Sequence, residues 1–314
     1  MSIERLYLWS WEKTFRQWAG PGFARVYIAL HPFMQVPGMK ANADGYLDLR
    51  RVPKTHPAFE MARAGETGPD GVASNHDSVL KKFARPRPWG WVVQAAGLQN
   101  VAHVERAIDS HLGRAKDEFR DAAAAKKLHA LVQKHDLLLP TEDYLSPMIE
   151  ATVGGMYRAL GVEQVEIGNQ MDDAAAVVSV DDFENPDLAL IEMDVPARAA
   201  YTHDEAMQML TISDWCAHYT IICLSERAAA TVDPSRELEG FWADDKTSAD
   251  WPYAEILARR KQQPAKPKPA SQKSGQPNRQ KSGAGADRRD NTGRGKPRHK
   301  AGQGAGGKPR RHKP

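Results

Sequence analysis

After Leu257 the 314-residue chain contains no Val, Ile, Leu, Met, Phe, Trp or Tyr, and this absence constrains its fold more than any other feature. Ordering a backbone costs roughly 1–2 kcal/mol per residue, and a segment with nothing apolar to bury cannot offset that cost. Residues 261–314 are therefore expected to be disordered when free. The fold has to come from residues 1–260, read as one globular α+β domain. A chain of that length buries about 70–75% of its extended surface, enough for a stable core without staples.

The formal net charge of +3 conceals a partition. Residues 261–314 hold 16 Lys and Arg against 2 Asp, a net +14, and residues 1–260 hold 27 basic against 38 acidic, a net −11. The split continues inside the folded part, with +6 over residues 1–140 and −17 over residues 141–260. Polybasic, low-complexity arms attract phosphates through counterion release, without sequence preference. The candidate polyanion contacts are Arg288, Arg289, Arg294, Lys296, Arg298, Lys300, Lys308, Arg310, Arg311 and Lys313. Non-specific nucleic acid or another polyanion is the partner expected for the tail, and an unidentified protein the partner expected for the domain. A flexible tail of this length spans roughly 40 Å, so contact with the acidic half of its own domain is the competing expectation.

Cys216 and Cys223 are the only cysteines, too few for a disulfide framework and suited to a reducing compartment. Charged Glu4, Arg5, Glu12 and Lys13 near the N-terminus leave no apolar core for a secretory signal. The longest uncharged stretch, residues 88–104, is too short and polar to span a bilayer. The expectation is a cytoplasmic protein without membrane contact.

Apolar residues at three- and four-residue steps predict helix over residues 99–134, broken at Gly113. Thr141, ahead of Glu142 and Asp143, predicts a capped helix over residues 142–160. Short β-prone runs at residues 24–30, 165–167, 176–180, 188–193, 219–224 and 239–242 predict strands. The capping-box pattern Thr202-His203-Asp204-Glu205 predicts a helix through residues 207–210, and Ser225 caps another through residues 228–232. Helices first and strands after favour a helical N-terminal half packed on a small mixed or antiparallel sheet.

No phosphate loop, nucleophile elbow, zinc-protease helix or paired CxxC unit is present, and no cofactor or metal ligand set is predicted. Asp214-Trp215-Cys216-Ala217-His218 is the local constellation nearest to chemistry. If extended, it places Asp214, Cys216 and His218 on one face, where a thiol beside an imidazole and a carboxylate could act as a nucleophile. The plainer reading makes this the polar face of a half-buried strand, with Trp215 and Tyr219 turned to the core. Ser74-Asn75-His76-Asp77 reads as a helix cap rather than a metal site. Lys81 through Trp91 interleaves cations with aromatics, as single-strand grooves do, or is a solvated loop entering core tryptophans.

Three stretches carry a resemblance: His31-Pro-Phe-Met-Gln35-Val-Pro37, Leu139-Pro140-Thr141-Glu142-Asp143, and residues 219–251 with Glu239-Gly-Phe-Trp-Ala-Asp244-Asp-Lys-Thr247. Together they resemble an uncharacterised bacterial family, the domain of unknown function 2711, over roughly residues 20–252. The resemblance implies a bacterial single-domain protein and brings no catalytic residues with it, though it marks His31 and Gln35 for testing. The leading expectation is a non-enzymatic binding or regulatory protein. The alternative is a hydrolase-like enzyme with a site near Asp214, Cys216 and His218, and with His31 as a further candidate.

Overall fold

A computed structural model describes residues 13–65, 75–168, 174–202 and 208–262. Residues Met1–Pro264 form one unit and Ala265–Pro314 another. The second unit, and with it the predicted tail and all its candidate cations, lies outside the described residues, as do Ser74 and His203 to Glu205.

Helix α1 (Phe15–Ala19) leads into β1 (Arg25–Leu30) and β2 (Phe33–Gln35), then α2 (Phe59–Ala64), α3 (His76–Phe83) and β3 (Arg85–Arg87). Next come α4 (Trp89–Ala96), α5 (Val101–His111), α6 (Ala122–His135) and α7 (Glu150–Ala159). The strand-rich half holds β4 (Gln164–Gly168), β5 (Ala175–Ser179), α8 (Val180–Glu184), β6 (Ala199–Tyr201), β7 (Met209–Ser213) and β8 (Tyr219–Leu224). It ends with α9 (Glu226–Thr231), β9 (Gly240–Trp242) and α10 (Ala254–Gln262).

Seven strands form one sheet in the order β5-β4-β6-β7-β8-β1-β9, antiparallel at every junction. Strands β2 and β3 make a separate antiparallel pair. Helices cover both faces of the large sheet. Val26, Ile28, Leu210 and Ile221 on one face meet Trp89, Val104, Ile108 and Leu128 from α4, α5 and α6. Tyr27, Ala29, Met209 and Ile222 on the other meet Val153, Tyr157 and Phe183 from α7 and α8. Strands β7 and β8 are buried at every position, the polar Thr211, Ser213 and Thr220 included. Each large side chain enclosed this way contributes about 1.5–3 kcal/mol. The architecture is α+β, with an antiparallel sheet between helical layers.

Gly113, at φ 73°, separates α5 from α6, and Ser225 caps α9 by accepting from Ala228 N–H. Other local readings give way to tertiary contacts. Helix α7 starts at Glu150 rather than at 142, because Asp143 takes a left-handed φ of 71° and the Thr141 carbonyl is turned toward His31. The stretch expected as a strand at residues 188–193 is a single 3-10 turn, Leu190–Glu192. The helix expected through residues 207–210 is replaced by β7, because the Thr202 hydroxyl accepts from Gln208 N–H and turns the chain into a sheet. No helix among the described residues is long and apolar enough to cross a membrane.

Two helix N-termini are capped from far along the chain. Asn75 makes no cap bond to α3 and donates instead to Met61 O. The Glu192 carboxylate takes that place, accepting from the N–H groups of Asp77 and Ser78 at 2.6 and 3.0 Å. At α4, which follows Pro88, the Glu239 carboxylate accepts from the N–H groups of Trp89 and Gly90. Both place a negative charge at the positive end of a helix dipole. Next to Glu239, β9 passes so close to β1 that a Cβ on Gly240 would stand 2.0 Å from the Ile28 carbonyl oxygen. Glu239→Ala is expected to cost about 1–2 kcal/mol by orphaning two helical N–H groups. The readout is the denaturant midpoint, and an unchanged midpoint would show that the cap contributes nothing.

Candidate functional site

The three stretches that carry the resemblance meet at one end of the sheet. His31 follows β1 directly and its imidazole is fully enclosed. Its Nδ1 lies 2.7 Å from the Thr141 carbonyl oxygen and must donate there, because a carbonyl only accepts. Its Nε2 therefore accepts from the Thr220 hydroxyl at 2.8 Å, and Thr220 accepts in turn from Ser213 Oγ at 2.7 Å. Burial drives the His31 pKa down to about 3, with repulsion from His218 adding to the effect, so this ring is neutral.

His218 is equally enclosed but carries the opposite charge logic. Nδ1 lies 3.0 Å from Glu105 Oε1, and Nε2 lies 3.6 Å from Glu142 Oε2. Burial works against its protonation, but Glu105, Glu142 and Asp109 outweigh it and raise its pKa above the ordinary value. Glu142 is also gripped bidentately by Arg114, one contact being 2.7 Å. Burial would raise the Glu142 carboxyl, yet Arg114 and His218 hold it low. The result is a charge row, Glu105, His218, Glu142, Arg114, alternating in sign through the domain.

Beside this row opens a cavity of about 610 Å³, large enough for a small organic ligand. Its floor comes from α5, whose four-residue step puts Glu105 and Asp109 on one side of the helix. Glu105 spends Oε1 on His218, while its buried Oε2 has no hydrogen-bond partner among the described residues. Asp109 accepts from the Tyr253 hydroxyl at 2.6 Å. Burial first, and the nearby Glu105 second, push the Asp109 carboxyl up to about 6. Phe119, Tyr219 and Tyr253 supply aromatic walls, with Trp215, Cys216 and Asp214 on the remaining side.

The nucleophile-like constellation is not assembled as an extended face. Strands β7 and β8 form a hairpin whose turn contains Trp215 and Cys216, and Cys216 sits at a left-handed φ of 57°. Trp215, expected in the core, is half exposed, with the Arg198 guanidinium 5.2 Å from its ring centre. The Cys216 N–H donates to Asp143, and the thiol pKa is raised, by burial first and by Asp143, Glu142 and Asp109 against the pull of Arg114. Asp214 accepts from Trp215 N–H at 2.8 Å. Among the described residues, no hydrogen bond joins any two of the Asp214, Cys216 and His218 side chains.

The cationic run at residues 81–91 is not an open groove. Lys81 is buried against Glu150 at 2.6 Å, Lys82 pairs with Asp187, and Arg87 donates to Gln35 at 2.6 Å. Trp89 is fully enclosed, donating from Nε1 to the His31 carbonyl. Among the described residues no three His, Cys, Asp or Glu side chains are grouped to hold a metal ion. Asp77 instead accepts from the Tyr144 hydroxyl at 2.6 Å.

Glu105, Asp109, Glu142 and Tyr253 were not legible as site residues. The available signal was the pair of acids one helical turn apart, each directly following an apolar stripe residue, Val104 and Ile108. Residues 16–253 match a family model described as "Protein of unknown function (DUF2711)". No curated protein and no solved structure matches the chain.

Proposed function

The chain belongs to the DUF2711 family, and we propose that it is a non-enzymatic binding or regulatory protein whose folded unit takes a small ligand in the cavity beside α5. The observation that carries this reading is the cavity-lining Glu105 carboxylate, one of whose oxygens is buried without a hydrogen bond among the described residues. Buried polar atoms are rarely left unpaired, because each costs about 1–3 kcal/mol. Support for recognition over turnover comes from Cys216 and His218. A thiol with a raised pKa is a weak nucleophile, and the imidazole that would activate it faces two carboxylates instead.

Alkylation tests this directly. Cys216 is expected to react with iodoacetamide no faster than an ordinary thiol at pH 7. Cys216→Ser serves as the blank, since burial raises the enclosed Cys223 thiol far out of reach. The same variant is expected to leave the fold intact. A rate far above that of free cysteine would revive the hydrolase-like alternative at Asp214, Cys216 and His218.

A second element of the reading rests on the charge partition. Residues 261–314, at +14, supply attraction for nucleic acid or another polyanion that the folded part, at −11, does not.

A further inference from the structure

We propose that the cavity beside α5 is a binding site for a small organic cation, an ammonium group on an apolar or aromatic body, held by Glu105 and Asp109. This rests on the ligand-binding reading above and names the chemistry of the ligand.

The polar end of the cavity asks for a donor. Glu105 is 4% exposed, and His218 engages only its Oε1. The other oxygen is enclosed without a hydrogen bond among the described residues. Asp109, one helical turn further along α5, presents a second carboxylate that among the described residues only the Tyr253 hydroxyl engages. An ammonium carries three donors and a full charge, so it can satisfy Glu105 Oε2 and reach Asp109 with hydrogen bonds of the stronger, charge-assisted kind.

The two described cations that line the cavity do not fill this role. Arg114 lines the cavity but is committed bidentately to Glu142, and Lys116 is exposed. An anionic ligand would meet Glu105, Asp109 and Asp214 at close range. A neutral ligand would add no charge against Asp109, the second of the two carboxylates. The walls suit the rest of the molecule: Phe119, Tyr219 and Tyr253 offer aromatic surface, and aromatic faces attract a cation further.

The test uses full-length protein and three probes of similar size and different charge: benzylammonium, benzyl alcohol and benzoate. Binding is followed by saturation-transfer NMR and by titration of the protein amide shifts. Benzylammonium is expected to bind with a millimolar or better Kd, at least tenfold tighter than either other probe. Its amide shifts should fall on α5 and the β7–β8 turn. Glu105→Gln is expected to weaken benzylammonium at least tenfold and to leave benzyl alcohol unchanged. Should Glu105→Gln fail to fold because His218 loses its counter-charge, Asp109→Asn serves as the second variant, with the same discrimination expected.

Benzoate or benzyl alcohol binding in the cavity as tightly as benzylammonium would overturn the cation assignment and leave the ligand-binding reading standing. Benzylammonium binding unchanged in both variants would place it on the acidic surface and overturn the assignment as well. Shifts on α5 from none of the probes would overturn both.

Discussion

Full-length protein is expected to bind single- and double-stranded nucleic acid at low salt with little sequence preference, and a chain ending at Gln262 is expected not to. Cutting after α10 leaves the folded unit whole. It removes 15 basic and 2 acidic residues, leaving 28 basic against 38 acidic. A remainder at −10 repels phosphate. If some six to eight tail cations engage phosphates, log K falls against log salt with a slope of about −0.9 per contact on duplex DNA. Over a fourfold rise from about 50 to 200 mM salt, that is a loss of about 10³–10⁴ in affinity. Competition from the acidic residues 141–260 weakens the absolute affinity, since they are tethered to the tail at high effective concentration. Two outcomes count against the polyanion reading. Equal binding by both chains would move the contact into the folded unit. No binding by either would make self-association the better account of the tail.

The other large effect is acid lability centred on His31. Its folded pKa, near 3, lies below the ordinary value of 6.5. An unfolded chain binds that proton more readily, so the stability His31 contributes is complete above pH 6.5. It is lost as pH falls from 6.5 toward 3, by about 5 kcal/mol in all. Asp109 and Glu150 slope the other way over part of this window. Burial raises both carboxyls, to about 6 and about 7, so each favours the folded state at low pH and costs stability as pH rises. His218 acts at higher pH, where its raised pKa makes stability fall once the imidazolium is lost. The measurement is therefore a difference: urea unfolding of wild type and of His31→Gln across pH 3 to 8. The variant is expected to be less stable at pH 7 and to converge on wild type toward pH 3. A constant gap across the range would show that His31 titrates alike in the folded and unfolded chain and is not held neutral by its burial.

The parts of the fold legible in the sequence are those whose causes are local. Strand β1 follows from a β-branched and aromatic run ended by His31-Pro32, and the break between α5 and α6 follows from Gly113. Helix α9 follows from the Ser225 hydroxyl three residues before the N–H it caps. Charge and composition by themselves set the last 54 residues apart from the rest, at +14 against −11.

Only the tertiary structure decided what depends on partners distant in the chain. Asn75 had the right identity to cap α3, but Glu192 does so across 115 residues. Residues 209 and 210, where the capping-box pattern at Thr202 predicted helix, lie in β7, paired on both edges and buried on both faces. The Asp214 to His218 stretch alternates in sequence, yet a hairpin turn passes through it. His218 is drawn inward to Glu105, 113 residues away, while Trp215 is left outside. Whether an ionisable side chain is a solvated surface group or half of a buried pair is set by the dielectric and the counter-charge around it. Both come from elements that meet only when the sheet closes, so residue type and spacing carry no record of them.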